Sequence, residues 1–134
     1  MLCETKIQRE EVIDALKEMK GGKAAGVDNI SKEMLKEGGV IIIDWLWKIC
    51  NKAFNEGRVP EDWKGAIIVP LYKGKGDRRE CKNTRGISLL SIPGKVYGKI
   101  LIKRATIISD SMVGDEQGGF RKGRGCVDQI FALR

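Results

Sequence analysis

Residues 69–88 read VPLYKGKGDRRECKNTRGIS, and our prediction of the fold starts from these residues. A β-branched, apolar run (AIIVPL) leads into a loop of 11 residues, and the chain returns through a second apolar run, TRGISLL. Two such runs separated by a glycine-containing loop predict an antiparallel hairpin. Pro70 has no N–H to donate, so its strand should lie at a sheet edge or carry a bulge. We therefore predict a β-hairpin arm over residues 66–90.

The segments on both sides of the arm have the periodicity of α-helices. Apolar residues recur there every three or four positions, and Ser31 is a suitable N-cap for one short helix. The predicted helices lie within residues 9–20, from Ser31 to Leu35, from Val40 to Phe54, after Pro93 and from Cys126 onward. Several helices with one antiparallel arm define an α+β fold, and 134 residues suit one domain or part of one.

The helix after Pro93 is predicted to have one buried face and one basic face. The residues expected to be buried are Val96, Ile100, Leu101 and Ile107. The residues expected on the basic face are Lys95, Lys99 and Lys103.

The composition restricts the chemistry that is open to the chain. Four cysteines without a CxxC pair and the lack of any histidine exclude Cys/His zinc sites, a histidine base and Ser/His or Cys/His nucleophiles. The longest apolar run, VIII before Asp44, is too short to span a membrane, so no membrane partner is expected. Because the first residues do not resemble a signal peptide, we expect an intracellular chain with reduced thiols, and the choice between nucleus and cytoplasm stays open.

The net charge of +7 is concentrated in the second half of the chain. Residues 68–134 hold 14 Lys and Arg against 6 Asp and Glu, whereas the first 67 residues are nearly balanced. Such a field usually indicates a polyanionic partner, with nucleic acid or nucleotide phosphates first among them. A solvated, solubilising surface is the alternative.

Two basic segments are candidates for phosphate binding. In the hairpin, Lys73 and Arg85 fall near the ends of the two strands, where a mobile ammonium and a rigid guanidinium can hold the oxygens of a triphosphate. A flexible, solvated loop is the alternative for this segment. The second candidate is GGFRKGRG, in which glycine amides and cations suit a sugar-phosphate backbone and the aromatic ring suits base stacking or simple anchoring of the loop. Its candidate residues are Phe120, Arg121, Lys122 and Arg124.

Four segments in this order make the chain resemble the reverse transcriptases of non-LTR (LINE-type) retrotransposons. They are GGKAAGVDNIS, VPEDWKGAIIVPLYKGKGD, CKNTRGISLLSIPGKVYGKIL and EQGGFRKGRGCVDQIFALR, and the resemblance as a whole extends from about Ile7 to Arg134. The resemblance implies that residues 1–134 form part of a reverse transcriptase domain. This part comprises the fingers and the first edge of the palm of a right-hand polymerase.

The resemblance also implies roles for individual residues. Lys73 and Arg85 would face the triphosphate of the incoming dNTP. Residues along the RNA template, the RNA–DNA hybrid or the nucleotide pocket would be Lys23, Asp28, Gln117, Phe120 and Arg121.

The paired aspartates with which such polymerases hold two Mg²⁺ ions do not occur in this sequence. We therefore expect no catalytic residue and no cofactor in this chain, and Mg²⁺ only in a full-length enzyme. The chain would then be truncated before the catalytic palm and inactive alone, with the missing palm and thumb of the same polyprotein as partners. The alternatives are a non-enzymatic nucleic-acid-binding remnant and a non-functional pseudogene product.

Overall fold

The computed structural model describes residues 6–110 and, beyond them, 112–114, 117–119, 123, 125, 127, 130 and 131. The elements are α1 (Arg9–Glu18), α2 (Lys32–Glu37), α3 (Gly39–Glu56), α4 (Glu61–Lys64), β1 (Ala66–Tyr72), β2 (Thr84–Leu90) and α5 (Ile92–Ser109), with a 3₁₀ turn at Cys81–Asn83. Helices with one antiparallel two-stranded sheet confirm the predicted α+β class. The described residues divide into two compact units, one ending at Leu101 and the other beginning at Ile102.

Local hydrogen bonds explain where the first two helices begin. The backbone N–H of Gln8 donates to the carboxylate of Glu11 at 2.7 Å, which ties the chain entering α1 to its first turn. The hydroxyl of Ser31 accepts from the backbone N–H of Met34 at 3.2 Å, so Ser31 is the N-cap of α2, as predicted. None of the helices in the described residues combines the length and apolar character that a membrane span requires.

The core of the first unit lies where α1, α2 and α3 meet the first half of α5. Burying these apolar side chains supplies the main driving force for folding. The buried cluster consists of Ile7, Val12, Ala15, Leu16, Leu35, Leu46, Cys50, Ile92, Val96 and Ile100.

Only the first half of α5 has the buried face that its periodicity predicts. Val96 and Ile100 are buried, and Leu101 is half-buried. Ile107 is 69% exposed, so the prediction that it is buried was wrong. The reason is that the core cluster ends with Ile100, and helical periodicity alone does not show how far along a helix its partners extend.

The two described cysteines are free thiols in opposite environments, and this gives a first prediction. Cys50 is completely buried, and this burial raises the pKa of its thiol to about 12, whereas Cys81 is exposed. Because the thiolate is the reactive form, we expect iodoacetamide at neutral pH to modify Cys81 and to spare Cys50 until the protein is unfolded. Tryptic mapping by mass spectrometry measures both sites, and equal labelling rates in the native protein would contradict the buried position of Cys50.

The hairpin is closed at its base by the helices that precede and follow it. The ring centroids of Trp63 in α4 and Tyr97 in α5 lie 5.7 Å apart. The helix that precedes β1 therefore contacts the helix that follows β2. Both strands of a two-stranded sheet are edges, which agrees with the prediction for Pro70; it lies opposite Gly86. The arm is therefore fixed at one end and exposed along its length.

Candidate nucleotide and nucleic-acid interface

One face of the hairpin carries both residues predicted to bind a triphosphate. Directly opposed residues of antiparallel strands share a face, so Arg85 lies on the same face as its partner Leu71. The pairing continues one step beyond the strands, since the N–H of Lys73 donates to the carbonyl of Asn83 at 2.8 Å. Strand alternation then assigns Lys73 to the face of Leu71 and Arg85. The structure thus assigns Lys73 and Arg85 to one face at the outer end of the arm.

Lys73 and Arg85 differ in whether their charged groups have hydrogen-bond partners within the protein. The ammonium of Lys73 donates to the carbonyl of Lys82 at 2.7 Å, which holds it against the loop. The guanidinium of Arg85 is exposed and has no hydrogen-bond or ion-pair partner in the described part of the chain. A rigid guanidinium in this state is free to donate two hydrogen bonds to the oxygens of a phosphate or carboxylate.

The loop that joins the strands is folded by its own hydrogen bonds. The side-chain amide of Asn83 donates to the carbonyl of Asp77 at 2.8 Å, and the N–H of Arg79 donates to the Asp77 carboxylate at 2.9 Å. Gly76 has a φ of +82° and lies so close to Asn83 that a Cβ would come within 2.5 Å of its amide. These contacts give the loop a defined turn-rich conformation, while residues 73–82 remain exposed to solvent.

Some of the positive charge in this loop is already compensated. Lys82 forms an ion pair with Glu80 at 2.9 Å. The guanidinium of Arg78 lies over the ring of Tyr72, 5.7 Å from its centroid, and the Tyr72 hydroxyl donates to the carbonyl of Gly76 at 2.5 Å. Lys73 and Arg85, which share a strand face at the outer end, take no part in these contacts.

Asp28, predicted to line the template or nucleotide pocket, uses both carboxylate oxygens within the protein. One oxygen accepts from the hydroxyl of Ser91 at 2.6 Å, and the other accepts from the N–H of Ile30 at 3.2 Å. Ser91 is completely buried between β2 and α5, and its hydroxyl also accepts from the N–H of Gly94 at 3.2 Å. Asp28 therefore joins the loop before α2 to the start of α5, across 63 positions of sequence.

The loop before α2 lies so close to the end of β2 that position 26 has room only for glycine. A Cβ on Gly26 would lie 2.5 Å from the backbone nitrogen of Ser91 and 2.6 Å from the carbonyl carbon of Leu90. Neither Gly26 nor Ser91 was singled out from the sequence. The available signal was weak: a glycine in a loop and a serine directly before a helix, with nothing to pair them.

Asp28 lies at the base of the arm, whereas Lys73 and Arg85 lie at its outer end. Five strand residues lie between Arg85 and Ser91, which puts the two roughly 20 Å apart. Asp28 therefore does not join Lys73 and Arg85 in one cluster. Lys23, in the loop near Asp28, is exposed and has no partner in residues 6–110.

The remaining predicted residues belong to the glycine-rich basic segment of the second unit. Gln117 is described, and its backbone N–H donates to the carbonyl of Gly114 at 3.2 Å. The other four, Phe120, Arg121, Lys122 and Arg124, lie outside the described residues.

The described residues contain no group of three or more His, Cys, Asp or Glu side chains that could hold a metal ion. The donor set of a two-metal polymerase centre is thus not found in this part of the chain. Mg²⁺ stays a prediction for a full-length enzyme.

Comparison with known proteins confirms the resemblance to RNA-directed DNA polymerases of non-LTR retrotransposons. The probable RNA-directed DNA polymerase from transposon BS of Drosophila melanogaster is 31% identical over 95% of this chain and 14% of its own length. The RNA-directed DNA polymerase from mobile element jockey of the same fly is 25% identical over 92% of this chain and 14% of its own length. The transposon TX1 uncharacterized 149 kDa protein of Xenopus laevis is 29% identical over 98% of this chain and 10% of its own length.

These similarities cover nearly the whole chain but only a small part of each relative. The chain spans between 10% and 14% of the length of these three relatives. No protein-family model matches it. The similarity therefore concerns one segment of a much longer kind of protein.

Proposed function

We propose that this chain is the fingers segment of a retrotransposon RNA-directed DNA polymerase and that its arm holds the triphosphate of an incoming dNTP against an RNA template. The observation that carries the proposal is the placement of Lys73 and the unpaired Arg85 on one face at the outer end of the hairpin. The similarity to polymerases of this kind supports the same assignment.

The arm supplies binding and orientation rather than chemistry. Arg85 can take two phosphate oxygens as a planar fork, and Lys73 can leave the Lys82 carbonyl to place a point charge on a third oxygen. Holding the triphosphate in one orientation prepares it for attack by a primer hydroxyl. We expect the carboxylates and Mg²⁺ of the catalytic step to be supplied by the palm of a full-length enzyme.

The proposal is tested by measuring dNTP binding to the purified chain with a matched pair of double variants. Lys73→Ala with Arg85→Ala is expected to weaken binding of a fluorescent dNTP by at least about tenfold, since charge-assisted hydrogen bonds contribute about 1.5–3 kcal/mol each. Lys75→Ala with Arg79→Ala removes the same charge from the same loop, and we expect its affinity to change by less than about threefold.

Equal losses in the two double variants would mean that the loop attracts nucleotides through net charge alone. That result would refute the assignment of Lys73 and Arg85. Circular dichroism melts of both variants show whether the hairpin still folds.

A further inference from the structure

A groove bordered by the first three helices lies outside everything that the proposed function uses. Its volume is ≈ 380 Å³, within the usual range for binding sites. We call its three apolar side chains the floor and its three lysines the rim. The lining residues are Ile13, Leu16, Lys17, Lys32, Lys36 and Ile43.

The floor of the groove favours apolar groups. Leu16 is buried, whereas Ile13 and Ile43 are half-buried and still present apolar surface. Covering this surface with another apolar side chain is favourable in proportion to the area removed from water. A phosphate placed here would lose its hydration and gain no hydrogen bond from the floor, which disfavours nucleic acid as the occupant.

The rim of the groove carries three positive charges and no carboxylate. The ammonium of Lys32 donates to the backbone carbonyl of Met19, at the C-terminal end of α1, and so joins α2 to α1. Lys17 and Lys36 are exposed and have no hydrogen-bond or ion-pair partner within residues 6–110. These two lysines are therefore available to carboxylates of a bound molecule.

We propose that this groove binds an acidic amphipathic helix of a partner protein. The apolar side of such a helix would cover Ile13 and Ile43, and its carboxylates would reach Lys17 and Lys36. Charge complementarity selects an acidic partner, and the apolar floor selects a helix with its apolar residues on one side. This binding does not depend on nucleotides or on a template, so it stands apart from the function proposed for the arm.

The probe is a labelled synthetic helical peptide with leucines along one side and glutamates along the other. Its binding to the full chain is followed by fluorescence anisotropy. Replacing the leucines by alanine, or the glutamates by glutamine, should in each case weaken binding by about tenfold or more, because the floor and the rim contribute separately. These peptide changes test the site without altering the protein.

The matching protein variant is Lys17→Ala with Lys36→Ala, for which we expect the affinity to fall on the order of tenfold. The control is Lys20→Ala with Lys103→Ala, which removes the same charge from exposed positions outside the groove. Its affinity should change by less than about twofold.

Three results would overturn the proposal. The first is no binding of the acidic leucine peptide, and the second is an equal loss of affinity in the control variant. The third is displacement of the peptide by an RNA oligonucleotide whose own binding requires Lys17 and Lys36, which would make the groove a nucleic-acid site.

Discussion

Replacing Gly26 by alanine is expected to lower the free energy of unfolding by about 1–3 kcal/mol, towards the upper end of that range. The new methyl group would lie 2.5 Å from the backbone nitrogen of Ser91. Because the obstructing atoms belong to the backbone of Leu90 and Ser91, no side-chain rotation can relieve the overlap. The loop before α2 must move away from the arm or the strand end must shift.

The same substitution at Gly98 provides the control for this prediction. Gly98 lies within α5, and a Cβ there would have nothing within 4 Å. Alanine is a better helix former than glycine, so Gly98→Ala should raise the free energy of unfolding by about 0.5–1 kcal/mol. Urea denaturation of both variants measures the two changes, and a shift of the same sign at both positions would contradict the close approach at Gly26.

The second large effect is expected at the hydrogen bond between Asp28 and Ser91. Asp28→Ala leaves the completely buried hydroxyl of Ser91 without its acceptor, at a cost of about 1–3 kcal/mol. When Ser91 is already alanine, the same change should have much less effect. The double-mutant cycle is therefore expected to give a coupling energy of about 1–3 kcal/mol.

This cycle separates two roles for Asp28. A residue that only contacts a template would weaken RNA binding without coupling to Ser91 in the free energy of unfolding. A residue that holds the base of the arm gives the coupling, and Asp28→Asn should keep part of the stability because an amide oxygen can still accept from Ser91. Denaturation curves for the single and double variants decide between them, and a coupling energy near zero would refute the structural role.

The local elements of this fold could be predicted because their signals lie within short stretches of sequence. The β-branched apolar runs and the turn residues of 66–90 predicted the antiparallel arm, and Ser31 marked the start of α2. The predicted burial of Ile107 was wrong, because burial depends on which elements pack against the helix. A helix pattern records which residues share a side but not how far the neighbouring elements extend.

The candidate site also has one feature that local sequence predicted and one that it could not predict. Strand alternation and register bring Lys73 and Arg85 to one face, and the residue types at the two strand ends were enough to suggest this pairing. The bond from Asp28 to Ser91 spans 63 positions and joins two loop ends, which no periodic pattern connects. Such contacts depend on tertiary packing and cannot be obtained from local chemistry.

The uncovered arm has a consequence for the behaviour of the chain in solution. Ile67, Val69, Leu71 and Ile87 are each more than 40% exposed, and both strands have an outer edge with unpaired backbone groups. An edge of this kind can accept a strand from another copy, and Pro70 interrupts it at only one position. The net charge of +7 keeps copies apart, but salt shortens the range of that repulsion. The salt that would weaken the proposed binding of polyanions would thus also allow the arms of different copies to approach one another.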